Sequence, residues 1–358
     1  MTAILAALAA LLLAPAAPAP TAPVPGLRFP RDHGSHADAA VEWWYYTGHL
    51  ADPAGRAYGF QLTFFRAGTL HLAHFAWTDV AAKTFRYEEK THLELPGIAS
   101  ADAGRLRVRN ENWSAEEADG VHRLRANGPE GALDLTLRAV KAPVAHGPGG
   151  VSKKGAGAAE YSHYVSITRL DASGAIARGG KRVSLAGSAW FDHEWGPGAL
   201  PSGVAGWDWF GVQLSDGSEL MLYRLREPDG RATAFSSGTF VPPSGPPAPV
   251  AWNGVELEET KRWTSPRTQA AYPAGWRIAL SPLRLALEIN PLLPDQELVT
   301  EKSTGVTYWE GACRVTGTRG GKPVTGGAYV ELTGYAGRDV PGFTAPPTSS
   351  SPGAPSSR

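Results

Sequence analysis

No stretch of this chain spaces its apolar side chains as an amphipathic helix would; they come instead in short runs with a period of two. In YGFQLTFF, Tyr58, Phe60, Leu62 and Phe64 share one face, and Gly59, Gln61 and Thr63 the other. Similar runs recur at 70–79, 105–109, 121–126, 133–139, 161–170 and 182–195. After a Gly/Pro stretch at 196–206 they resume at 207–214, 219–226, 236–241, 274–280, 285–289, 308–316 and 326–335. Twelve Trp, eleven Tyr and eleven Phe suit pleated, half-buried surfaces, while 42 Gly and 30 Pro favour many turns. The chain therefore reads as all-β. Segments 142–160 and 241–254 read as loops, and the Pro/Ser-rich tail from Thr344 as disordered.

The chain also repeats itself weakly. EWWYYTGHL (42–50) lines up with GWDWFGVQL (206–214), and GSAWFDHEW (187–195) with GGAYVELTG (326–334). Two tandem antiparallel β-barrels, each opened by an aromatic hairpin and closed by a Gly-led strand, account for both similarities. The expected division is a leader at 1–26, barrels at 27–200 and 205–342, and a tail at 343–358.

Lys and Arg together number 34, as do Asp and Glu, so the net charge is zero and nothing points to a nucleic-acid partner. Residues 3–14, AILAALAALLLA, are apolar but too short to span a bilayer, and small residues follow. They read as a secretory signal cleaved after Ala16, with no Lys or Arg ahead of the apolar run, and imply a periplasmic or extracellular protein; the competing reading is a disordered Ala/Pro leader. Cys313 is the single cysteine; it forms no intrachain disulfide and reads as a small core residue.

The chemistry-bearing residues gather in SAWFDHEWG (188–196) and GWDWFGVQLSDGSELMLYRLR (206–226). Alternation puts Phe191, His193 and Trp195 on one face of the first stretch and Trp190, Asp192 and Glu194 on the other. In the repeat Asp192 falls opposite Glu331, so a carboxylate there can serve the architecture. His193 falls opposite Leu332, which makes it the better functional candidate against the competing reading of a satisfied core histidine. In the second stretch a two-residue Asp216–Gly217 turn pairs Phe210 with Tyr223 and Asp208 with Leu225. Asp208 then lies on an apolar face, where its pKa should rise as a general acid requires. The alternative is a buried Asp bonded to backbone amides. Trp207 and Trp209 would stack beside Arg226 and Arg224 on the opposite, solvent face.

Metal spacing is poor. His71 and His74 are three apart, and His33 and His36 lie in an early loop with Asp32 and Asp38. No Gly-x-Ser-x-Gly elbow, phosphate-binding Gly loop or dinucleotide fingerprint is present, so a serine hydrolase has little support.

At EWWYYTGHL, YSHYVSITRL, SAWFDHEWG and GWDWFGVQLSDG, with YWEGA and ELTGYA later, the chain resembles a two-domain lipocalin-like family. That family includes carotenoid 1,2-hydratases, kievitone hydratase and AttH-type "predicted secreted hydrolases". The resemblance covers residues 27–342 and implies two calycin-type barrels packed together, but no single activity. Its hydratase branch uses a His-x-Trp pair with a downstream Tyr and Asp. His193 and Trp195 match the pair and Tyr223 the Tyr; Leu225 stands where the Asp is wanted, and Asp208 is expected to supply that carboxylate.

The resulting expectation is an exported hydro-lyase that adds water to, or isomerises, an alkene of a hydrophobic isoprenoid or polyketide. His193, Asp208, Tyr223 and Trp195 would form the catalytic set, and Trp44, Tyr46, Phe191 and Phe210 the aromatic lining. Asp192 and Glu194 are structural or secondary acids. No metal or organic cofactor is required; the partner is a lipid-like small molecule, compatible with work at a membrane surface. The rivals are a periplasmic carrier of an apolar ligand and, third, a cofactor-free secreted hydrolase. The reading requires His193 and Asp208 to look into one chamber between the barrels.

Overall fold

The computed structural model describes residues 26–337, residues 130 and 199 excepted. The leader up to residue 25 and the tail at 343–358 lie outside the described residues. Apart from short 3₁₀ turns, every element is a strand. A thirteen-stranded antiparallel sheet runs from Val41 to Gly196 and a ten-stranded one from Gly206 to Thr333. One sheet curls into a nearly closed barrel and the other into a half-barrel. The ends of the first sheet meet through side chains: Asn110 Nδ2 donates to His71 O at 3.1 Å, and Lys90 Nζ to Glu111 at 2.6 Å.

Each sheet is organised around a pair of neighbouring strands. In the first, the opening strand Val41–Ala51 pairs with the closing strand Lys181–Gly196; in the second, Gly206–Leu214 pairs with Lys322–Thr333. The register is the same in both. Tyr45 faces Asp192 as Trp209 faces Glu331, and Trp44 faces His193 as Asp208 faces Leu332.

These strands are buried on both faces, which is why EWWYYTGHL shows little alternation. One face fills its own barrel: Trp44, Tyr46, Phe60 and Phe191 in the first, Phe210, Trp276 and Ile278 in the second, with Cys313 fully buried beside them. The other face packs against the opposite sheet. Gly59 permits that approach, because a Cβ there would lie 2.7 Å from Ala312 Cβ and 2.9 Å from the Tyr329 hydroxyl. Across the same contact His49 Nε2 donates to Ala328 O at 3.0 Å.

Several elements differ from the sequence reading. Thr84–Leu93, Trp113–Ala118 and Glu256–Glu259 are further strands, and the expected loop at 142–160 holds Val144–Ala145 and Val151–Lys153. The hairpin after Gly206–Leu214 has a longer loop than Asp216–Gly217 alone. Gln213 pairs with Glu219, and Leu214 N donates to Ser218 O at 2.9 Å, leaving a three-residue loop with Gly217 at φ 81°. One extra residue turns the whole returning strand over. Asp208 therefore faces Arg224, not Leu225, and Tyr223 faces Trp209, not Phe210. The surface ladder of Trp207 and Trp209 with the two arginines does not form.

Candidate active site between the two sheets

The outer faces of the two strand pairs enclose a cavity of about 170 Å³. Its mouth lies where the strands end, at Val41, Gly196, Val306 and Thr333. Its closed end lies where the sheets touch at Gly59 and Ala312. Going inward, the opening strands contribute Trp43 and Tyr45 from one side and Trp207 and Trp209 from the other. The closing strands contribute Glu194, Asp192 and Glu331; Tyr164, Tyr223 and Tyr308 complete the aromatic wall.

Asp192 and Glu331, the two positions the internal repeat equates, look into this one space. Burial raises both carboxyls to about 7, and the neighbouring Glu194 charge pushes each the same way. Their hydrogen bonding differs. Asp192 accepts from Tyr164 Oη at 2.7 Å, Trp190 Nε1 at 2.6 Å and the Ser166 hydroxyl. Glu331 accepts from Trp207 Nε1 at 2.8 Å. More donors favour the charged form, so hydrogen bonding opposes the effect of burial more strongly at Asp192 than at Glu331.

Glu194 is paired. Lys154 Nζ lies 2.9 Å from its Oε1 and 4.3 Å above the Tyr223 ring, and the Ser162 hydroxyl donates to the same carboxylate. Burial alone would depress Lys154, but Glu194, Tyr223 and Asp192 together prevail and raise the ammonium pKa. Deeper, Glu310 lies directly across the strand ladder from Glu331 and receives the Tyr45 hydroxyl at 2.7 Å. Burial, with Glu331 beside it, raises the Glu310 pKa well above the usual carboxylate range and so favours its neutral form.

The residues expected from sequence divide sharply. Tyr223, Asp192 and Glu194 line the cavity. His193 does not: it points into the first barrel, fully buried, with Nε2 3.0 Å from Glu42 Oε1 and Nδ1 3.2 Å from Asp32 O. Trp195 shares that side, stacked 4.0 Å from His36, and Trp44, Tyr46 and Phe191 are packed around the same barrel interior. Phe210 belongs to the second barrel's core. Asp208 is fully buried and clamped by Arg224 Nε at 2.8 Å, Arg226 Nε at 2.9 Å and the Tyr335 hydroxyl at 2.9 Å. The two residues expected to share one chamber thus sit inside different barrels. The parity was read correctly along 188–196; the error lay in choosing the face, because both faces of that strand are buried. Glu331 and Glu310 were missed as site residues, and the repeat that aligned Asp192 with Glu331 was the signal for the first.

His36, Glu42 and His193 bring ligand-type atoms within 4.8 Å of one another. Each has a protein partner: His36 Nδ1 and His193 Nε2 both meet Glu42 Oε1, at 2.8 and 3.0 Å, while Arg66 Nε and Nη2 hold Oε2 at 3.1 and 3.0 Å. A guanidinium on the carboxylate disfavours a cation, so the cluster is built as a hydrogen-bond network. Burial opposes ionisation of Glu42, but the bonds from His193 and His36 prevail and lower it to about 2.

Residues 20–335 match the family model described as AttH-like. The chain belongs to the AttH-like family. An AttH-type protein of Nitrosomonas europaea is 36% identical, with 88% of this chain and 99% of that one covered and a TM-score of 0.80. Kievitone hydratase from Nectria haematococca, at 18% identity, covers 88% of this chain and 97% of its own with a TM-score of 0.71. CghA with Sch210972, at 13% identity, covers 89% and 99% with a TM-score of 0.53. The last two are likenesses of fold. No curated protein matches the chain. This AttH-like protein therefore shares the tandem arrangement with proteins whose own sequences differ almost throughout.

Proposed function

We propose that this AttH-like protein is an acid-catalysed hydratase or isomerase of an alkene in a hydrophobic isoprenoid or polyketide, and that the inter-sheet cavity is its active site. The observation that carries the reading is the Asp192–Glu331 pair, two carboxyls held near neutrality in an aromatic enclosure. Protonating an alkene carbon leaves a carbocation. Such a step wants a partly desolvated acid, π-faces to spread the charge, and a base of matched pKa. Glu331 donates its proton to form the C–H bond; the indole faces of Trp43, Trp207 and Trp209 stabilise the cation. Water forms the C–O bond and yields its extra proton to Asp192, which passes it to Glu331 to restore the pair. Isomerisation follows the same path, with Asp192 taking a proton from the cation itself. A void of about 150 Å³ holds a benzene-sized group, so this cavity suits the alkene end of a molecule whose remainder leaves through the mouth.

The carrier reading uses the same cavity and needs neither carboxyl. The hydrolase reading has less support. Ser166 Oγ lies 2.7 Å from His146 Nε2, but Asp192 bonds the serine instead of the imidazole, and Ser166 is fully buried outside the cavity. Export belongs to the proposal on the strength of residues 3–14.

Incubation with a prenylated phenol in ¹⁸O-labelled water tests the reading. Label in a tertiary alcohol, lost in Glu331→Gln, supports the enzyme. Co-purification of an apolar molecule with no turnover, unchanged in Glu331→Gln, supports the carrier.

A further inference from the structure

Around Gln61, which lines the cavity, and the neighbouring buried residues are polar atoms that no protein group satisfies. Gln61 Oε1, Glu310 Oε2 and Thr47 Oγ1 have no hydrogen-bond partner, on side chains 0–1% exposed. Leaving one such atom unpaired costs about 1–3 kcal/mol, and native proteins pair nearly all of them, with water where no side chain reaches. Turning the Gln61 amide over does not help: Thr63 Oγ1 at 2.8 Å and the Tyr308 hydroxyl at 3.3 Å occupy one of its polar atoms and leave the other free. The same holds for Glu310, where the Tyr45 hydroxyl occupies one oxygen.

These atoms belong to one place. Thr47 and Gln61 are directly opposite each other across adjacent strands, and Tyr45 and Thr63 are the next such pair toward the mouth. Tyr308 and Glu310 are two apart on one strand of the other sheet, so they share a face. Tyr45 bonds Glu310 and Gln61 bonds Tyr308, closing a four-residue ring across the interface. One step further in, Gly59 and Ala312 seal the sheets together.

We infer that Gln61, Glu310 and Thr47 hold the water molecule that captures the carbocation. This rests on the proposed hydratase chemistry, but the site itself is argued from geometry. A neutral Glu310 donates its O–H to the water oxygen; the water donates its two hydrogens to Gln61 and Thr47 and keeps one lone pair free to face the mouth. When that pair forms the C–O bond, the surplus proton leaves toward Asp192. Gln61 is then a positioning residue that decides between capture by water and loss of a proton, hence between alcohol and rearranged alkene.

Two experiments test this with the full chain. A high-resolution crystal structure should show one ordered water within about 3.2 Å of Gln61 and Glu310; side chains turned to protein partners, with no water between them, would overturn the inference. In labelled water with a prenylated phenol, Gln61→Leu should lower the ratio of alcohol to rearranged alkene at least tenfold, and Gln61→Met, closer in shape, should do likewise. An unchanged ratio would overturn it. If the wild-type protein leaves the phenol untouched, the hydratase reading fails, and the crystallographic result alone decides the water site.

Discussion

Two buried polar clusters lie back to back across the first barrel's wall. Inside the barrel, Glu42 is ionised and every oxygen is matched: two imidazoles on one, a guanidinium on the other. Outside it, Asp192, Glu331 and Glu310 gather around a cavity with Lys154 already committed to Glu194. In the first cluster the one carboxylate meets a guanidinium and two imidazole hydrogen-bond partners, while the second has more carboxyls than cations. Compensated charge holds a barrel end together; uncompensated buried carboxyls titrate nearer to neutral pH, as the proposed acid chemistry requires.

The sharpest way to break this comparison is to neutralise one member of each cluster. Glu331→Gln should lower turnover of an accepted alkene by roughly 10²–10⁴-fold, while stability in urea is unchanged or higher, since a buried carboxyl has been removed. Glu42→Leu should do the reverse. It strands Arg66 in a buried site and should cost about 3–5 kcal/mol of unfolding free energy, read by the same denaturation. Catalytic loss in both variants without loss of stability in the second would erase the distinction.

The clusters should also respond to pH with opposite sign. Glu42 falls from its ordinary 4.5 to about 2 on folding. The stability it contributes is complete above 4.5 and lost as pH falls through about 2. Asp192 and Glu331 rise from 3.8 and 4.5 to about 7. Their contribution is complete below about 4 and lost as pH rises through about 7. Denaturation midpoints across pH 2–8 measure both limbs, and Glu331→Gln should flatten only the upper one. Because one carboxyl must be protonated and the other ionised, kcat/KM should be bell-shaped and centred near 7.

Smaller effects refine the boundary. Asp208→Asn should lower stability by about 1–3 kcal/mol, since two arginines lose their anion, yet leave the upper pH limb in place. Tyr223→Phe removes a hydroxyl 2.9 Å from Ser152 Oγ. It should cost about 1 kcal/mol and change turnover less than tenfold, read in the same two assays.

Much of the architecture was legible because short strands of period two cannot be mistaken for helices, and the repeat aligned Tyr45–Asp192 with Trp209–Glu331 in the register the sheets adopt. Two things were not. Alternation says which residues share a face, not which of two buried faces holds the cavity, so it could not tell that Asp192 lines the cavity while His193 and Phe191 face the barrel interior. Nor does Asp216–Gly217 reveal that Ser215 joins the loop. That single residue turned Tyr223 outward and Arg224 inward, and took Asp208 from an imagined apolar face to a guanidinium clamp. Glu310 lay beyond sequence reasoning because its raised pKa comes from burial between the sheets and from the Glu331 charge on the neighbouring strand, neither of which a single strand's pattern displays.

The matched register of the two halves has one more consequence. The two halves place a carboxyl at the same register position, and two equivalent acids have no reason to divide the work of giving and taking. Here a phenol, an indole and a serine on one side, against a lone indole on the other, break the tie. In the proposed reaction, direction thus comes from a few hydrogens unequally shared, and neither half on its own would possess it.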